Sequence, residues 1–170
     1  MALLIVARLL HVLLGVFWAG TIIFTAFFLV PAIAEAGPDG AKVMAGIQRR
    51  RFMDVMPVVG LITVVSGLWL YWKISGGFDH HWMHTPTGLT YGIGGLIAIV
   101  GFSIGLGVMR PAMQKIGGLA AGAARETDPA RRERMMGEAA ALRRRSAAAG
   151  RVVALLLALA TALMGVARYL

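Results

Sequence analysis

Apolar positions in this chain gather into four long runs, and polar positions gather between them. The runs are Leu9 to Val30, Val55 to Trp72, Leu89 to Val108 and Val152 to Val166. Each approaches the ~20 apolar residues that a helix needs to cross a hydrocarbon core about 30 Å thick. Small residues recur at helical spacing within them: Gly94, Ala98, Gly101 and Gly105 in the third run, Ala154, Ala158, Thr161 and Gly165 in the fourth. The first run adds Gly15 with Ala19, and the second adds Gly60, Thr63 and Gly67. Helices in lipid associate by close van der Waals approach, so these stripes predict packing seams. The fold predicted is all-α: an integral membrane up-down-up-down four-helix bundle, forming one transmembrane domain over residues 1–170.

The polar connections carry their own signals. Glu35-Ala-Gly-Pro-Asp-Gly reads as a turn, after which Asp39 is expected to cap a short amphipathic helix from about Gly40 to Arg51. Asp54 follows Arg50 and Arg51 at a spacing that suits an ion pair. Asp128-Pro129 reads as an N-cap followed by proline at the first helical position. From Pro129 to about Ala149 the chain favours a helix, which predicts a projecting helical hairpin over residues 111–150 that runs on into the fourth span.

Charge orients the bundle. Of the 17 Lys and Arg residues, only Arg8, Lys73 and Arg168 lie outside the connections Pro31–Phe52 and Arg110–Arg151. Basic loops stay in the cytoplasm, so both termini and the Ile74–Gly88 loop are expected outside, with the protein in the cell's inner (plasma) membrane. Trp69, Tyr71, Trp72, Phe78, Trp82, Tyr91 and Tyr169 all belong to the outer side in that arrangement, as an aromatic belt. The N-terminal run has no basic flank and no cleavage site, so it is expected to be retained as the first span.

The net charge of +9 therefore faces membrane lipids, and no nucleic-acid partner is implied. At 58% hydrophobic residues and a mean hydropathy of +0.75, the chain is too apolar for a soluble domain of this size. It has no cysteine, which excludes disulfides, iron–sulfur clusters and thiolate metal sites.

Four histidines carry the candidate chemistry. His11 sits about a turn inside the first span, where an ionisable group points to function. It is the only histidine in the spans, so two bis-histidine haems are excluded. One five-coordinate haem b on His11 is compatible with the sequence. So is one whose second ligand comes from the outer loop or a second protomer. His80, His81 and His84 form an HHxxH cluster; on a helix His80 and His84 would share a face and suit Zn²⁺ or Cu²⁺, with Asp79 or Met83 as a further ligand.

The first span reads Leu10-His11-Val-Leu-Leu-Gly-Val-Phe-Trp18-Ala19-Gly20, with His11 and Trp18 on one helix face. It resembles the first helix of HemJ-type protoporphyrinogen oxidases and of CopD-type copper-resistance membrane proteins. Met44, Gln48-Arg-Arg-Arg51-Phe52, Pro57 and Ser66-Gly67-Leu-Trp69-Leu70 extend the likeness to the former, over roughly residues 10–72. The resemblance implies haem or porphyrin chemistry at His11; in a haem- or porphyrin-binding reading Trp18 and Tyr91 would line the pocket. It also implies a functional lysine early in the third span; Leu89 to Arg110 contains no Lys and no His, and Tyr91 is the only large polar side chain near its start.

Three readings follow. The first is a non-catalytic subunit or scaffold, working with a membrane-protein partner or as a homo-oligomer. The second is a haem- or porphyrin-binding protein using His11. The third is metal handling on the outer face through His80, His81 and His84. No serine–histidine–acid set, phosphate-binding glycine loop or carboxylate pair within the spans singles out an enzyme reaction.

Overall fold

A computed structural model describes residues 1–170, the side chain of Pro38 excepted. Helix α1 (Ala2–Phe24) continues through a π turn at Thr25–Leu29 into α2 (Val30–Glu35); α3 (Pro38–Arg49) leads to α4 (Phe52–Ile74). A loop holding α5 (His80–Met83) leads to α6 (Pro86–Ile104), and a second π turn at Gly105–Met109 carries that helix into α7 (Arg110–Ala123). Finally α8 (Pro129–Val166) ends in a single turn of 3₁₀ helix at Ala167–Tyr169. Four of these continuous helices, over 2–35, 52–74, 86–123 and 129–169, are long and apolar enough to cross a membrane. Their outward faces are apolar: Leu13, Val16, Leu96 and Leu155 are all more than 60% exposed. Such a surface suits lipid, and the chain is a multi-pass membrane protein.

The spanning helices pack in a ring: α1 on α4, α4 on α6, α6 on α8 and α8 back on α1. Neighbours are antiparallel, as short connections require. The core centres on Trp18, Met56, Val59, Val153 and Leu157. Trp18 meets Phe102 edge to face, with ring centroids 5.9 Å apart. Gly60 makes this possible, because a Cβ there would stand 2.9 Å from Phe102 and 3.1 Å from Trp18.

The third and fourth spans run on beyond the bundle as a helical hairpin, in agreement with the sequence. Asp128 caps α8 by accepting a hydrogen bond from the Ala130 N–H at 3.0 Å, with Pro129 at the first helical position. The 38 residues of α8 extend about 57 Å at 1.5 Å per residue, well past one membrane thickness. Its first half packs on α7, burying Ile116, Ala123 and Ala139, and Lys115 pairs with Glu138 at 2.6 Å.

Two local expectations differ from the structure, at the cap of α3 and in the small stripe of α8, and the ion pair expected at Asp54 is present. Gly37, at φ 55°, takes the cap position of α3, while Asp39 lies inside the first turn and pairs with Lys42 at 2.7 Å. A left-handed backbone followed by proline suits glycine at the cap and leaves Asp39 one turn too late. Asp54 pairs with Arg51 at 3.3 Å and with Arg110 at 3.8 Å, whereas Arg50 turns back to the Gly46 carbonyl. On the third span Gly94 and Gly101 are buried as the spacing predicts, and on α8 Ala154 is buried too, but Ala158, Thr161 and Gly165 are exposed. Larger residues fill the seam: Leu157 and Val153 lie over Gly101, and Ala160, Leu163 and Met164 lie over Gly94. Glycine on one helix makes room for bulk on the other, so a second small stripe is not needed there.

The first and third spans share a local pattern. The π turns at Thr25–Leu29 and Gly105–Met109 lie 80 residues apart, and each ends two residues before a proline, Pro31 or Pro111. A proline cannot donate to the carbonyl one turn back, and the widened turn absorbs the mismatch. At the same spacing Gly15 corresponds to Gly95 and His11 to Tyr91. A threonine followed four residues later by glycine occurs in both partner helices, at Thr63 and Gly67 on α4 and at Thr161 and Gly165 on α8. Both threonine hydroxyls donate to the carbonyl one turn back, at Val59 and Leu157.

Candidate functional site

A cavity of about 520 Å³ opens between α1, α4 and α6 at the end of the bundle rich in aromatics. Its walls are largely apolar, from residues such as Val12, Val64, Leu68 and Ile99. His11 stands in the wall, half-buried. Its Nδ1 lies 2.9 Å from the main-chain carbonyl of Thr63 on α4. A carbonyl only accepts, so Nδ1 is the donor in this bond, and Nε2 is the ring nitrogen it leaves unengaged. A histidine that ligates a metal through Nε2 is commonly oriented by this kind of bond. The ring also lies directly on Gly67: a Cβ there would stand 2.6 Å from His11 Cε1. Glycine at 67 is therefore what lets the imidazole reach the Thr63 carbonyl.

The α4–α6 loop closes the aromatic end of the cavity. Gly76, Gly77 and Phe78 take φ values of 66°, 90° and 65° in succession. For phenylalanine this left-handed backbone costs about 1–2 kcal/mol. Buried Ser75 holds the turn, its Oγ donating to the Trp72 carbonyl at 3.2 Å and accepting from the Phe78 N–H at 2.9 Å. Phe78 and Met83 thereby join the cavity lining. The Tyr71 ring packs edge-on against Trp82, with centroids 5.5 Å apart, and its hydroxyl donates to the Gly88 carbonyl at 3.1 Å. Gly88 has no room for a side chain, since a Cβ would run into the Trp82 carbonyl.

The structure brings His11 and Tyr91 together in this lining and leaves Trp18 out of it. Trp18 is two turns deeper on the same face of α1, 5% exposed in the helix-packing core. It borders a separate cavity of about 100 Å³ with Phe52, Met56 and Met109. His11 and Tyr91 occupy equivalent positions relative to the two π turns, and they reach the one cavity from α1 and α6. Arg8, Met83 and Met164 also line it, though sequence reasoning singled out none of them for this pocket. For Arg8 the signal was present: it lies three residues before His11, hence on the same helix face.

The loop histidines are arranged differently. Asp79 caps α5 by accepting from the Trp82 N–H at 2.8 Å. His80 and His84 share a face as the spacing predicts, with ring centroids 4.1 Å apart, and His84 Nδ1 lies 2.7 Å from the His80 carbonyl. His80, His81 and His84 are all exposed. Among the described residues no three His, Asp or Glu side chains converge in a way that would hold a metal ion.

A tetrapyrrole can be tested against the cavity by its chemistry. Haem iron requires a strong axial donor in a dry pocket. The structure supplies one oriented imidazole, apolar walls, and a volume inside the ~300–1,000 Å³ range typical of ligand sites. No second histidine lines the cavity among the described residues. The lining thus offers a single imidazole among apolar walls, the donor set that a tetrapyrrole ligated from one side would need. In comparisons with known protein families, curated proteins and solved structures, nothing matches this chain.

Proposed function

We propose that this membrane protein binds one tetrapyrrole, haem b or its porphyrin, in the cavity between α1, α4 and α6. The observation that carries the reading is the His11 imidazole, oriented by the Thr63 carbonyl and set into the wall of a 520 Å³ apolar cavity. An ionisable side chain inside a span is costly and calls for a ligand or partner. The motif resemblance of residues 10–72 to HemJ-type oxidases points the same way. A subunit or scaffold role, by contrast, has no need of a pocket built around an oriented histidine.

In this reading His11 holds the iron through Nε2, and Tyr91 faces the ligand from the other half of the bundle. Phe78 and Met83 shield the cavity at its aromatic end. Haem bound there supplies one-electron redox chemistry; the chain contributes orientation, an apolar surround and exclusion of water. Protein isolated in mild detergent from haem-replete cells is expected to show a Soret band, and a colourless preparation contradicts the reading.

The charge distribution further supports an orientation with the α7–α8 hairpin in the cytoplasm and the cavity opening towards the outer face. The chain has no cysteine, so single-cysteine variants can be labelled without background. Ala141→Cys is expected to be shielded from an impermeant maleimide in intact cells, and Gly76→Cys to be labelled. The reverse pattern would overturn the orientation.

A further inference from the structure

Among the described residues, Arg8 is the only Lys, Arg, Asp or Glu lining the cavity. Among the described residues it has no ion-pair partner, and every ion pair found lies elsewhere in the chain. The nearest acidic position in sequence at that end of the bundle is Asp79, and its carboxylate is engaged as the cap of α5. An unpaired guanidinium at the mouth of an apolar cavity favours an anion there. Among the described residues no Asp or Glu lines the cavity.

Its placement relative to His11 defines what kind of anion. Arg8 lies three residues before His11, about 4.5 Å nearer the aromatic end at 1.5 Å per residue. The two side chains therefore line one wall, imidazole deeper and guanidinium towards the mouth. A ligand that fills the apolar part and reaches Arg8 must have an apolar body and an oxyanion at one end. The guanidinium fork matches a carboxylate in two-point geometry, and such charge-assisted pairs are stronger than neutral hydrogen bonds.

We infer that Arg8 is the anion-binding group of this cavity, and that the ligand is an amphiphilic carboxylate seated with its acid groups towards the aromatic end. This rests on the tetrapyrrole reading, and within it selects a tetrapyrrole that keeps free carboxylate side chains over an esterified or neutral one. A lipid phosphate presents similar chemistry at the same depth, so the test separates the two sources.

The experiment titrates protoporphyrin IX and its dimethyl ester into the full-length protein in nanodiscs. The discs are of phosphatidylcholine alone or with added phosphatidylglycerol, and porphyrin fluorescence is the readout. Wild type is expected to prefer the diacid by about ten-fold, as the loss of one charge-assisted pair implies. Arg8→Gln is expected to erase that preference, and Arg8→Lys to retain part of it. Weakening of diacid binding by phosphatidylglycerol in wild type but not in Arg8→Gln supports the anion site and identifies a headgroup phosphate as its competitor. Equal affinities for acid and ester in wild type, or a preference that survives Arg8→Gln, overturn the assignment of Arg8 and leave the tetrapyrrole reading standing. If neither porphyrin binds saturably, the tetrapyrrole reading fails and this inference falls with it. Unchanged elution volume and helical circular dichroism show that each variant is folded.

Discussion

Gly67→Leu is expected to abolish tight tetrapyrrole binding while the bundle still assembles. Any side chain at 67 starts with a Cβ 2.6 Å from His11 Cε1 and 3.0 Å from Nδ1. Carbon atoms do not tolerate that separation, so the imidazole has to leave. With it goes the 2.9 Å bond to the Thr63 carbonyl, which orients the ring. Overpacking of this kind costs about 1–3 kcal/mol in stability. The loss in affinity is expected to be at least about ten-fold, the scale on which orienting bonds to metal-ligating histidines act. Gly67→Ala should lie between the two. Binding of haem to Gly67→Leu at wild-type affinity would show that the ring position does not matter.

Trp18→Ala is expected to act in the opposite way, lowering stability steeply while leaving the site intact. Trp18 is 5% exposed, packs edge to face on Phe102 and lies over Gly60. Truncating a buried aromatic to alanine costs about 3–5 kcal/mol in soluble cores. In lipid the loss is one of packing rather than of water exclusion, so about 3 kcal/mol is expected. Thermal unfolding in detergent should show a clear fall in midpoint. Below that midpoint haem affinity should remain within about threefold of wild type, a difference under about 1 kcal/mol. Loss of binding out of proportion to the loss of stability would return Trp18 to the pocket.

The contrast between these two residues shows where the sequence was legible. His11 and Trp18 fall on one face of α1, and from spacing alone they look like two walls of one site. Two helical turns separate them along the axis, and Phe102 on α6 takes up the face of Trp18. Spacing along one helix reports a face, not the depth at which a neighbouring helix meets it. The spans themselves were readable because each apolar run is long and is bounded by charge. The α8 extension was readable because Asp128 and Pro129 are strong local signals.

The remaining features depend on atoms that no local pattern predicts. The Thr63 group that orients His11 is a main-chain carbonyl, 52 residues away in the chain. Any residue type has such a carbonyl; only helix packing selects this one. Beyond Ala154 the small stripe on α8 does not form the seam, because what matters is complementarity, and the glycines of α6 already made the room. The correspondence of His11 with Tyr91 was likewise hidden, since the two residues share no chemistry and only the π turns reveal the register.

The claim on which the account depends is that His11 anchors a tetrapyrrole in the cavity of α1, α4 and α6. Titration of haem b into the purified protein in detergent, wild type against His11→Ala, tests it most directly. The account predicts saturation at about one haem per chain with a Soret shift in wild type, and no saturable shift in a folded His11→Ala protein. No saturable binding by wild type, or one curve for both proteins, would contradict it.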